Sequence, residues 1–191
     1  MMNTTEIDSA IKYIEDIFRN NSDGHDVKHS LRVYKNAMCL ADFYPDCSRQ
    51  IISLAALLHD VDDYKLFDTK NNENARNFLK NLKLTEYEIE QICSIINEVS
   101  FSKNRGKRPQ SIEGKIVQDA DRLDALGAIG IARTFAYGGR CGRTLEASLQ
   151  HFYDKLLLLK DEMNTEEAKE MAEERHEYLK DFIKEFKNET S

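Results

Sequence analysis

Apolar residues recur every three or four positions in segment after segment of this chain, the spacing that places them on one face of an α-helix. Ile7, Ile11, Ile14 and Phe18 mark a first amphipathic helix, ending at the polar stretch 20–24. Asp23 stands as the N-cap of a second helix, with Asp26 three residues on as a capping partner and Leu31, Val33, Ala37 and Leu40 as its buried stripe. Pro45 closes that run. From Ser48 to Asp60 the pattern changes: Ile51, Ile52, Leu54, Ala55, Leu57 and Leu58 leave almost no polar face, so this third helix belongs in the core. Further helices are predicted over 71–82, 85–99, 111–136 with a break near Gly127, 145–160 and 165–188. Two segments read as loops: the basic stretch 100–109 and the glycine-rich stretch 137–143. The alternation that marks a half-buried strand is sustained nowhere, so the fold class is all-α.

Composition narrows this further. The chain has 191 residues, 41% hydrophobic and 32% charged, enough apolar material for a core and the length of one domain, 1–191. The net charge of −7 excludes general electrostatic wrapping of nucleic acid or anionic lipid. That charge is uneven. Residues 100–115 carry five bases and one acid, whereas 161–191 carry five bases and eleven acids. No apolar stretch approaches the roughly 20 residues that cross a bilayer, and Met1–Glu6 lacks the basic-then-apolar pattern of an export signal. Cys39, Cys47, Cys93 and Cys141 form no Cys-x-x-Cys pair. They read as reduced thiols of a soluble cytoplasmic protein.

Three segments carry candidate chemistry. In Asp26-Val-Lys-His29-Ser-Leu-Arg32-Val, a histidine and an arginine lie three apart on one helical face beside the apolar stripe. His25 and His29 have the spacing of two ligands on one helix, but Asp26 stands where His-Glu-x-x-His requires Glu. His59-Asp60 follows the apolar run directly and precedes Asp62 and Asp63, placing costly polar groups at the edge of a core. Gln118-Asp119-Ala-Asp121-Arg122-Leu-Asp124 sets three carboxylates on an otherwise apolar helix, where they need a cation. Helical periodicity does not choose among the three.

The ordered set of His29, His59-Asp60 and an Asp within Ala120-Asp121-Arg122-Leu123 resembles the signature of the HD-domain metal-dependent phosphohydrolase superfamily. The flanking Asp-x-x-His-x-x-Arg-Val, Leu-Leu-His-Asp-Val and Gln-Asp-Ala-Asp-Arg-Leu-Asp-Ala pieces are similar to those of its small stand-alone prokaryotic members, some of which are nucleoside triphosphate pyrophosphohydrolases. The resemblance extends through 95–102 and 151–157 and so covers most of the chain.

The resemblance implies a helical HD-domain bundle and a metal-dependent phosphohydrolase acting on a nucleotide, releasing pyrophosphate from a nucleoside triphosphate. It makes His29, His59, Asp60 and Asp121 the metal ligands, with Asp119 the rival of Asp121. It implies one divalent ion: manganese first, with magnesium, iron, nickel, cobalt and zinc as alternatives. Asp63, four after His59, resembles the acid that orients or deprotonates water in related hydrolases; where those have HD-x-x-E-D, the second acid here is shifted to Asp62. Arg32, Lys65, Arg122, Lys103 and Lys155 are candidates for binding the phosphates, and His25 for reaching the substrate. A monophosphate phosphatase and a non-catalytic metal- or nucleotide-binding sensor are the alternative functions. The glycine segment lacks Gly-Lys-Ser/Thr and is no P-loop.

Overall fold

The apolar run 51–58 is wholly buried as the helix Arg49–Leu58 (α3), against which α1 (Thr4–Ile17), α2 (Val27–Ala41) and α5 (Glu86–Val99) pack. The computed structural model describes residues 4–19 and 26–190, which group into two compact units, Met1–Asp121 and Arg122–Ser191. Among the described residues there is no strand, and the fold is all-α. The first unit also holds α4 (Glu73–Leu79), the short α6 (Phe101–Asn104) and most of α7 (Ile112–Asp124). The second consists of the end of α7, α8 (Gly127–Arg140), α9 (Leu145–Asp154), a 3-10 helix (Leu156–Glu162) and α10 (Glu166–Thr190).

Local chemistry explains most boundaries. The Ser48 hydroxyl accepts from the Ile51 amide at the start of α3, and Thr85 forms a reciprocal capping box with Glu88 at the start of α5. The second helix is capped one turn later than predicted: Asp26 takes the N-cap and accepts from the His29 amide at 2.8 Å. Asp23 and His25 lie outside the described residues. The helix predicted over 71–82 is shorter because Asn71 and Asn72 have left-handed backbone, and its first amides are received by a distant carboxylate. Asp62 accepts from Asn74 and from Ala75, each at 2.9 Å.

The predicted break in 111–136 falls at Ala125–Leu126, where Gly127 adopts φ +67. The glycine-rich segment is not a loop throughout, since α8 runs on to Arg140. Gly138 lies where a Cβ would come within 2.1 Å of the Ser148 hydroxyl on α9, so close helix packing rather than turn formation requires it. The helix predicted over 145–160 changes to 3-10 after Lys155. Likewise the basic segment 100–109 contains a single helical turn, α6.

Hydrogen bonds tie α7 to other parts of the first unit. The Ser48 amide donates to Glu113, the Gln118 side chain donates to the Glu98 carbonyl at 2.7 Å, and Asn36 on α2 donates to the Ala120 carbonyl. The last of these lies one residue before Asp121. No helix of the described residues is long and apolar enough to cross a membrane, and all four cysteines are free.

Candidate metal centre

The four expected metal ligands converge from three helices. His29 comes from the first turn of α2, where the Asp26 cap fixes the backbone. His59 is the C-cap of α3, Asp60 follows it, and Asp121 lies on α7. His29, His59 and Asp60 are buried, and Asp121 is slightly open to solvent.

The His29 and His59 Nε2 atoms are 3.2 Å apart. Asp60 Oδ2 stands 3.4 Å from His29 Nε2 and 3.3 Å from His59 Nε2. Asp121 Oδ1 is 3.3 Å from the first and 3.8 Å from the second. Donor atoms about 2.1 Å from a single ion stand roughly 3.0 Å apart at right angles and about 3.4 Å apart at the tetrahedral angle. Each carboxylate oxygen therefore stands at a ligand-to-ligand separation, 3.3–3.8 Å, from the two imidazole nitrogens, and His29, His59 and Asp121 close up as a three-donor set around one cation.

Tautomer chemistry supports the same conclusion. His59 Nδ1 lies 2.8 Å from the Ala56 carbonyl, which can only accept, so Nδ1 carries a proton. In the neutral ring this leaves the Nε2 lone pair aimed at His29 and the two carboxylates. Four electron-rich atoms meeting inside a protein require a positive charge among them. The pKa values record that demand: burial pushes His59 down, but the Asp60 and Asp121 carboxylates outweigh it and raise the imidazole to about 9. Burial pushes Asp121 up, yet its hydrogen bond to His29 and the charge of His59 hold it below the ordinary carboxylate range. Two imidazoles and two carboxylates suit a divalent first-row metal, and His29, His59 and Asp121 form a metal-holding constellation on distance alone.

Of the two rival aspartates, Asp121 presents its carboxylate to the two histidines, and Asp119, two residues earlier on α7, is wholly buried. Asp63 closes a turn on Asp60, its amide donating to the Asp60 carbonyl, while one of its carboxylate oxygens accepts from the Lys65 amide at 2.8 Å. Asp62 is occupied in capping α4. Arg32 is half-buried one turn after His29 on α2, and Lys65 and Lys103 are exposed, both against the Tyr64 ring. Arg122 and Lys155 fall in the second unit. The Arg122 guanidinium is buried, bonded to the Glu162 carbonyl and 3.2 Å from the Glu162 carboxylate. Lys155 is half-buried where α9 ends. Sequence reasoning missed the Ala56 carbonyl, which a helical i−3 relation to His59 could have signalled, and Tyr64, for which adjacency to Lys65 was the sole cue.

Residues 26–126 match the model of the HD domain. The chain belongs to the HD domain family. It is 39% identical to the Bacillus subtilis protein YpgQ over 186 residues, 93% of this chain and 90% of that one. Among solved structures, it resembles that of an HD-superfamily hydrolase from Bacillus thuringiensis, with 44% identity, a TM-score of 0.80 and 97% of each chain covered. The crystal structure of B. subtilis YpgQ in complex with ADP is similar at 35% identity and a TM-score of 0.81, covering 96% of this chain and 97% of that one. The segment that matches contains His59-Asp60 together with His29 and Asp121.

Proposed function

We propose that this HD domain is a metal-dependent phosphohydrolase acting on a nucleotide, and that it releases pyrophosphate from a nucleoside triphosphate. The observation that carries the reading is that Asp60 and Asp121 each bring a carboxylate oxygen within 3.3–3.8 Å of the His29 and His59 Nε2 atoms, themselves 3.2 Å apart, with the His59 tautomer set by Ala56. Its family membership and the ADP held by the related YpgQ support the nucleotide as substrate class. Manganese is our choice of ion, because two imidazoles with two carboxylates combine nitrogen donors with hard oxygens. When bound, a divalent ion lowers the pKa of water and offsets phosphate charge.

The remaining work falls to the chain itself. His29, His59, Asp60 and Asp121 would hold the ion, which would supply Lewis-acid activation of water and of a phosphate. Asp63, fixed in the turn after Asp60, orients the attacking water and takes its proton through the carboxylate. The water oxygen bonds to the α-phosphorus as the bond to the bridging oxygen breaks, and pyrophosphate leaves. Lys65 and Lys103 donate to phosphate oxygens, with Arg32 on the α2 side. In this reading Arg122, tied to Glu162, anchors the end of α7, and Lys155 has a secondary part.

Phosphorus NMR of a reaction with a nucleoside triphosphate and manganese tests the assignment. Pyrophosphate and a monophosphate are expected, and Asp60→Ala should lose at least about a hundredfold of the rate while keeping its circular dichroism spectrum. Orthophosphate released from a monophosphate would replace the reading with a phosphatase. Absence of any turnover, with manganese still raising the melting temperature, would replace it with a sensor.

A further inference from the structure

Tyr64 is 61% exposed, and two ammonium groups lie against its ring: Lys65 Nζ at 5.7 Å and Lys103 Nζ at 5.1 Å from the centroid. Other exposed tyrosines differ. Tyr137 and Tyr153 each face one cation, while Tyr64 has two and stands four residues after the metal ligand Asp60. The Asp63 amide bonds back to the Asp60 carbonyl, so their Cα atoms lie within turn distance and Tyr64 lies within about 11 Å of Asp60, Cα to Cα.

The platform is held in place on both sides. Asp63 receives the Lys65 amide on its side chain and the Leu66 and Phe67 amides on its carbonyl, and the Phe67 ring packs 6.0 Å from Phe18. On the other side, Asn104 bonds to the Asn97 and Ser100 carbonyls and sets α6, which carries Lys103. A large ring kept at the surface, flanked by cations and beside a metal centre, has the chemistry of a base-stacking surface: a π-face for the base and ammonium groups for phosphate or ribose oxygens.

We propose that Tyr64 is the nucleobase platform of this site, the base stacking on its ring while Lys65 and Lys103 turn to the phosphate side. The proposal rests on the nucleotide reading above and adds the element that holds the base. Stacking tolerates every base, so the platform supplies affinity for a nucleoside while discriminating weakly among bases.

The chain has no tryptophan, so Tyr64→Trp places the single tryptophan, excited selectively over the tyrosines, at the platform. In manganese-free buffer with magnesium, ADP should quench its emission, whereas inorganic pyrophosphate at the same concentration should not. Steady-state kinetics supply the second arm. Tyr64→Leu should raise KM for a nucleoside triphosphate roughly tenfold with little change in kcat, and Tyr64→Phe should restore most of that loss. Equal quenching by ADP and pyrophosphate, or an unchanged KM in Tyr64→Leu, overturns the platform while leaving the hydrolase reading intact. If wild type turns over no nucleotide, the hydrolase reading fails and the quenching arm still decides the platform.

Discussion

His59 shows how backbone surroundings orient a single side chain. At the end of α3 the Ala56 carbonyl has lost its helical partner and takes the Nδ1 proton instead, which turns the other ring nitrogen toward His29, Asp60 and Asp121. Asp60 and Asp121 then supply the negative charge that raises the imidazole to about 9. Much of this was legible in the sequence, because an HD pair after an apolar run leaves polar groups where only a partner can hold them. The choice between Asp119 and Asp121 was not legible, since periodicity sets Asp119 beside the apolar arc and Asp121 somewhat further round, which singles out neither as a ligand. We predict that Asp121→Asn loses manganese retention after gel filtration, measured by metal analysis, while Asp119→Asn retains it. The reverse order would assign the fourth ligand to Asp119.

At the scale of elements, the helices most visible in the sequence were those with strong local signals. The uninterrupted apolar stripe of α3 and the Thr85–Glu88 capping box of α5 belong to this group. Elements set by distant partners were harder to read. The start of α4 depends on Asp62, ten or more residues earlier, and the extent of α8 depends on its packing against α9. The sharpest case is the turn from α7 into α8, where a Cβ on Gly130 would lie 2.1 Å from the Ala125 carbonyl oxygen. Backbone cannot give way there as a flexible side chain could. Gly130→Ala should therefore cost about 2 kcal/mol or more in a urea titration. Gly139→Ala, on the same helix with nothing within 4 Å of its Cβ, should be neutral or slightly stabilising. Equal stability of the two variants would contradict the close approach.

For the molecule as a whole, the net charge of −7 and a phosphate-bearing substrate are compatible because charge is distributed by segment. Lys103, Arg105, Lys107 and Arg108 are exposed together on and after α6, and Lys103 reaches the Tyr64 ring. A few cations beside a metal centre suffice for a small anion, whereas nucleic acid needs a broad basic face. The all-α class and the HD family were both legible because they depend on spacing and on ligands in order along the chain. The meeting of α2, α3 and α7 at one point is a property of tertiary packing, which brings His29 and Asp121 from 92 positions apart to 3.3 Å. The proposed hydrolysis therefore requires a metal at that point. Anomalous scattering from crystals grown with manganese tests it most directly. One peak bounded by His29, His59, Asp60 and Asp121, and absent in Asp60→Ala, is the predicted result. A peak coordinated by any other residues, or none at this point, would contradict it.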